Sequence, residues 1–150
     1  MSTKYKLLLF SLTGLLLSSF IINGGCELIT GEDKSAQPPE QEIYDVTTGK
    51  AYDLIQENAD NPHFIILDVR TPEEFDGGYI EGAINIDYYS EDFRAQLETL
   101  DKDKTYLIYC RTGRRSAGAR DIMAELGFIE VYNMSGGIVE WEAQGLPVVR

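Results

Sequence analysis

The sequence predicts a single α/β domain with a mostly parallel sheet and helices on both faces. Three observations lead there. Short apolar runs alternate with segments whose apolar residues recur at helical spacing, the order in which crossover helices join parallel strands. The run Phe64-Ile65-Ile66-Leu67-Asp68-Val69 is apolar almost throughout, as expected of a strand buried on both faces. Turn signals, among them Asn61-Pro62, Gly77-Gly78 and Gly136-Gly137, separate the segments. The stretch from Ile43 to Arg150 suffices for one compact core.

In chain order, Ile43–Val46 reads as a short strand. Thr47 or Thr48 caps a helix running to about Asn58, with Ala51, Leu54 and Ile55 on one face. Phe64–Val69 is the next strand. Thr71 then caps a helix that has Pro72 at its first position, Glu74 closing a capping box and Gly77-Gly78 ending it. Ala83–Ile86 is a strand. Ser90 caps a helix whose Phe93, Leu97 and Leu100 share a face, and residues 101–104 turn into the strand Thr105–Tyr109. A helix from Arg115 or Ser116 to Leu126 places Ala119, Ile122, Met123 and Leu126 on one side, with Gly127 as its stop. Ile129–Tyr132 is one more strand. Gly136-Gly137 opens a short helix with Ile138 and Trp141 inward, ended by Gly145 and Pro147.

The chemistry concentrates in Tyr109-Cys110-Arg111-Thr112-Gly113-Arg114-Arg115-Ser116. This places a cysteine at the C-terminal end of an apolar strand, where ligands gather in such sheets. A short Gly- and Arg-containing loop follows, and then a helix opens. Backbone N–H groups, a helix N-terminus and guanidinium groups around a thiol favour its ionised form and would hold an anion against it. A buried packing cysteine would gain nothing from Arg-Thr-Gly-Arg-Arg beside it. The only histidine, His63, precedes the strand at Phe64 and so lies at the opposite end of the sheet, an ordinary loop residue. One His and two separated Cys make no metal site, and no cofactor is expected.

The formal net charge of −12 argues against nucleic acid as a partner and makes the Arg111, Arg114, Arg115 cluster a local exception. Residues 1–25 carry Lys4 and Lys6 and no acid, so their removal makes the remainder more acidic still. A positive start, the apolar run Leu7–Ile22 and the small residues before Cys26 read as a signal peptide over residues 1–25. The run is short for a membrane span. Residues 26–42 have little to bury and read as a flexible tether, leaving 43–150 as the folded domain. A disulfide between Cys26 and Cys110 is not expected, since the first borders the targeting segment and the second ends a core strand.

The Gly24-Gly25-Cys26 ending resembles the lipobox of bacterial lipoproteins, although Asn23 stands where that family usually has Leu. The resemblance implies cleavage before Cys26 and a diacylglycerol on its thiol. The chain is then exported and lipid-anchored to a bacterial membrane, on a periplasmic or extracellular face. An uncleaved anchor and an ordinary cleaved, secreted form are the alternatives.

Four stretches together resemble a single-domain rhodanese. They are Leu67–Arg70 with Thr71–Phe75, Gly78–Ile86, Cys110–Ser116 and Gly136–Val148, in family order and at family spacing. The resemblance implies a rhodanese-like fold and a sulfurtransferase in which Cys110 takes sulfane sulfur from a small anionic donor such as thiosulfate, or from a persulfide. The sulfur then passes to an acceptor such as cyanide or a thiol. It further implies that the amides of Arg111, Thr112, Gly113, Arg114, Arg115 and Ser116 cradle the persulfide. Arg111, Arg114 and Arg115 are candidates for an anionic donor, with Arg115 favoured. Asp68 and Arg70 support the site from the neighbouring strand, Arg70 through a pair with Glu74. Tyr79 stands where the family often has His, a difference of packing.

Two other readings compete. Cysteine-dependent phosphatases and arsenate reductases use a Cys-x5-Arg loop, whereas here the spacing is Cys-x4-Arg and the residue before the cysteine is Tyr109 instead of the usual His. A non-turnover module that binds or relays sulfur at a membrane would use the same loop.

Overall fold

The computed structural model describes residues 40–150. The expected signal segment 1–25, Cys26 with its expected lipid, and the expected tether up to residue 39 lie outside the described residues. Ten elements follow in order: β1 (Glu42–Val46), α1 (Thr48–Glu57), β2 (Phe64–Asp68), α2 (Pro72–Asp76), β3 (Ile84–Asn85), α3 (Phe93–Glu98), β4 (Thr105–Tyr109), α4 (Arg114–Glu125), β5 (Glu130–Met134) and α5 (Gly137–Ala143). The strands form one sheet in the order β1-β5-β4-β2-β3. Every pairing among these strands is parallel. A lone antiparallel bridge joins Tyr79 to Val149.

Local chemistry sets most boundaries. Thr47 is the α1 cap, accepting the Lys50 N–H on its side-chain oxygen at 3.2 Å, while Thr48 is buried as the first helical residue. Such a cap contributes about 1 kcal/mol. Around α2 the capping box forms as the sequence predicts. The Thr71 hydroxyl oxygen accepts from Glu74 N at 3.4 Å, and Glu74 Oε2 accepts from Thr71 N at 3.2 Å.

Several boundaries shift by a residue or two from the sequence reading, and three of the shifts have a visible cause. β3 is only two residues long, because the Ala83 N–H is taken by the Ile80 carbonyl in the preceding turn. Ser90 does not cap α3. Its carbonyl accepts the Phe93 N–H at 3.1 Å and its hydroxyl bonds the Asp92 carboxylate, so the helix starts at Phe93 with no side-chain cap. β5 runs on to Met134 because β1 pairs with it over its full length, from Glu42↔Glu130 to Val46↔Met134.

The two faces of the sheet carry separate cores. Leu67, Val69, Ile108, Cys110 and Val131 pack under Phe93 and Leu97 of α3 and Ala119 and Met123 of α4. Ile66, Leu107, Tyr109 and Met134 pack under Ala51 of α1 and Ile138 and Trp141 of α5. Successive side chains alternate between faces, so Cys110 leaves β4 on the α4 side while Tyr109 is directed to the α1–α5 side.

Candidate active site

β4 delivers Cys110 to the C-terminal edge of the sheet, and only Arg111, Thr112 and Gly113 separate it from α4. So short a connection demands an unusual backbone. Gly113 supplies it with φ 88°, and a Cβ there would fall 2.0 Å from the Ser135 carbonyl oxygen. The loop therefore closes tightly, and the Gly113 N–H points at Cys110 Sγ over 3.2 Å. In the first turn of α4, the Ser116 hydroxyl lies 3.5 Å from Sγ and 3.1 Å from the Gly113 carbonyl oxygen. A hydroxyl has one proton to donate. The Gly113 carbonyl already accepts the Ala117 N–H at 3.0 Å, so a charged sulfur is the acceptor in greater need.

The other wall of the loop is α5. Its Ile138 N–H donates to the Cys110 carbonyl at 2.9 Å, and its Val139 N–H donates to the Arg111 carbonyl at 3.1 Å. These are first-turn amides with no partner inside their own helix. A trans peptide sets N–H opposite C=O, so anchoring the Arg111 carbonyl on α5 turns the Thr112 N–H back toward the sulfur. Gly137 permits this approach. It holds φ 59°, and a Cβ on it would meet Arg111 and Cys110 backbone atoms at 2.5–2.6 Å.

Cys110 is 1 % exposed. Burial alone pushes its thiol up. The Ser116 hydroxyl and the amides of Ser116, Thr112 and Arg115 more than offset that, and the net direction is below the ordinary cysteine value. Arg115 acts on the sulfur through its charge and not by contact. Among the described residues no arginine side chain hydrogen-bonds the sulfur. Arg115 instead makes a two-pronged pair with Glu74 of α2, at 2.6 and 2.9 Å, and its guanidinium lies 5.5 Å from the Tyr89 ring centroid. Arg115 holds the Glu74 carboxyl down at about 2. Arg111 and Arg114 are exposed.

Asp68 and Arg70 form a different unit. The Arg70 guanidinium donates to both Asp68 carboxylate oxygens, at 2.6–3.0 Å, and to the Gly78 carbonyl at 2.7 Å. It also lies 5.7 Å from the Tyr109 ring centroid, on the α1–α5 side of the sheet. The expected Arg70–Glu74 pair is therefore replaced by two others, Arg70 with Asp68 and Arg115 with Glu74. Asp68 is two residues from Arg70, on the same side of the extended chain, and reaches it first. The Tyr109 hydroxyl oxygen accepts the Ile80 N–H at 3.1 Å beside this unit, and burial and the Asp68 charge push its phenol up. Tyr79 packs its ring on Phe75, with centroids 4.1 Å apart, and His63 is exposed at the far end of β2.

Sequence reasoning missed two contributors. Glu74 was visible as a capping-box residue and as a partner for Arg70, but nothing local announces its actual partner, Arg115, 41 positions away. The amides of Ile138 and Val139 were hidden as well, though the glycine pair before α5 was a signal that backbone approaches backbone there.

Beside the loop lies an open cavity of about 480 Å³, bounded by Glu74, Tyr89, Val139, Thr112 and the three loop arginines.

Residues 48–144 match the sequence model of the rhodanese-like domain. A sulfurtransferase of Allochromatium vinosum is 35 % identical over 96 residues, covering 64 % of this chain and 88 % of that protein. A tRNA uridine(34) hydroxylase of Pectobacterium carotovorum is 37 % identical over 106 residues, but the match spans only 29 % of its length. Among solved structures, a rhodanese-related protein from Thermoplasma volcanium superposes with a TM-score of 0.60 at 33 % identity, covering 71 % of this chain and 97 % of that one. The parallel sheet, the cysteine loop at its C-terminal edge and these similarities agree: the chain belongs to the rhodanese-like family, which includes sulfurtransferases.

Proposed function

We propose that this chain moves sulfane sulfur from a donor such as thiosulfate or polysulfide to a thiophilic acceptor, through a persulfide on Cys110. The observation that carries the reading is the set of donors aimed at one sulfur, namely the Gly113 N–H at 3.2 Å and the Ser116 hydroxyl at 3.5 Å. They favour the thiolate, which is the nucleophilic form. In the first half-reaction the thiolate attacks the outer sulfur of thiosulfate. The donor S–S bond breaks and its electron pair leaves with sulfite, so Cys110 carries –S–S⁻. In the second, an acceptor nucleophile attacks the terminal sulfur, and the electron pair of the cleaved S–S bond returns to Cys110. Neither half needs an outside oxidant or reductant.

The loop amides that face one sulfur also suit the charge on a second. A three-residue connection leaves a smaller hollow than a Cys-x5-Arg loop, which favours sulfur over phosphate. The N-terminal reading belongs to the same proposal. Lys4 and Lys6, the apolar run and Gly24-Gly25-Cys26 support export and a lipid anchor on Cys26 that holds the domain at a membrane surface.

Steady-state thiosulfate:cyanide turnover tests the catalytic reading. Cys110→Ser is expected to reduce it to background, while its unfolding transition stays close to that of the parent. Turnover that survives the substitution contradicts the proposal. A persulfide that forms but discharges negligibly to every acceptor shifts the reading to a relay.

A further inference from the structure

We infer that two copies of this chain pair through the free edge of β1, as antiparallel strands centred on Tyr44, and so join two five-stranded sheets into one. The backbone supplies the first argument. Glu42 donates its N–H to the Ile129 carbonyl at 2.7 Å, and the Val46 carbonyl accepts the Ser135 N–H at 3.0 Å. The even-numbered residues of β1 therefore turn their peptide groups toward β5, and Ile43 and Asp45 turn theirs outward. Among the described residues, neither of these two has a backbone hydrogen-bond partner. The opposite edge of the sheet is β3, cut to two residues, which is a common way of blunting an edge. β1 has five residues and neither Pro nor Lys to protect it.

Two outward residues separated by one inward residue make a self-complementary pattern. In an antiparallel pair centred on Tyr44, Ile43 meets Asp45 of the second copy, and the two exchange N–H and C=O. Every free group of both residues is then used, and Tyr44 faces Tyr44 as a non-hydrogen-bonded pair.

Side chains supply the second argument. The same register sets Glu42 against Val46 and Asp45 against Ile43, so no two carboxylates face each other. A parallel pairing would set Glu42 beside Glu42 and Asp45 beside Asp45, and like charges side by side destabilise neighbouring strands. The Asp45 charge is also engaged within its own copy, by Arg120 and by Asn133 at 2.8 Å. Tyr44 is 52 % exposed and stacks on Tyr132, with ring centroids 6.1 Å apart. Across the axis, the two Tyr44 rings extend that stack into a row of aromatic cross-strand pairs. A strand of another protein satisfies the backbone groups alone. A second copy matches the side chains as well, as an isologous contact requires.

The antiparallel arrangement points the two Cys110 loops in opposite directions and leaves both uncovered. One strand pair buries less than the ~1,200 Å² of a stable complex, so the association is reversible. The net charge of −12 on each copy opposes it until salt screens the repulsion.

The test is sedimentation of the full chain in mild detergent, from micromolar to millimolar concentration, together with site-specific cross-linking. A monomer–dimer equilibrium is expected, shifted toward dimer by salt. Tyr44→Lys sets like charges across the axis and is expected to weaken the dimer about tenfold, while Tyr44→Phe preserves it. In a chain that also carries Cys26→Ser and Cys110→Ser, Tyr44→Cys is expected to give a disulfide-linked dimer under oxidised glutathione, because facing Cα atoms of such a pair lie about 4.5 Å apart. Ile43→Cys is expected to give none, because those two positions are offset along the strands by roughly 8 Å, beyond the ~7 Å reach of a disulfide. A chain that stays monomeric at every concentration and salt, or cross-links as well at position 43 as at 44, overturns the inference. So does a dimer indifferent to Tyr44→Lys. Should Tyr44→Lys unfold, the cross-linking comparison decides alone.

Discussion

Ser116 is the side chain that acts with the loop amides to favour the ionised form of the sulfur at position 110. Cys110 sits where hydrocarbon burial pushes a thiol up, and hydrogen-bond donors must reverse that. Ser116→Ala removes the only side-chain donor aimed at Sγ among the described residues and leaves the backbone amides in place. The midpoint of thiolate formation, followed by ultraviolet absorbance, is expected below the ordinary value of about 8.5 in the parent and higher in the variant. Sulfur loading near neutral pH should slow in parallel. A midpoint unmoved by the substitution would leave the backbone alone responsible. At this scale the cysteine and the loop that wraps it were legible in the sequence, because strand, cysteine, glycine and helix start are contiguous. The commitment of Arg115 was not. A guanidinium chooses among carboxylates by geometry, and Glu74 comes near only when α2 and α4 take their places beside the sheet.

The short helix α2 is tied to the cysteine loop through one carboxylate. Glu74 Oε2 accepts both from Thr71 N, closing the capping box, and from the Arg115 guanidinium. The element that starts α2 therefore also fixes the beginning of α4. The folded value of Glu74, about 2, lies below its ordinary value of 4.5. A carboxyl depressed on folding contributes stability that is full above its unfolded value and is lost as pH falls toward the folded one. Stability is thus expected to decline from about pH 5 to pH 2 in part through this group. Glu74→Gln should lower stability at neutral pH and flatten that part of the acid limb, as measured by denaturant midpoints across the range. An acid limb of unchanged slope in the variant would show that the pair does not couple to folding.

Helices and strands were legible wherever periodicity or a cap spoke, as at Thr71-Pro72-Glu73-Glu74. They were less so at β3 and α3. There a turn claims the Ala83 amide and the Asp92 carboxylate claims the Ser90 hydroxyl, outcomes that depend on competing local partners.

The described domain is built on a parallel sheet with β4 at its centre, and the order β1-β5-β4-β2-β3 gives the site its walls. α4 covers one face and supplies Ser116, while α5 packs on the other and supplies the amides that hold the Cys110 and Arg111 carbonyls. The alternation of strands and helices announced a parallel sheet. The meeting of α2, α4 and α5 around one loop follows from strand order, which periodicity does not encode. The acidic charge of the whole chain also matters, since at physiological salt its field fades within about 8 Å and leaves the exposed arginines to act locally. The most direct test is intact-mass analysis of the full chain after incubation with thiosulfate, followed by peptide mapping. The account predicts a gain of one sulfur atom on Cys110, removed by cyanide and absent in Cys110→Ser. No gain, or a gain that persists in Cys110→Ser, would contradict it.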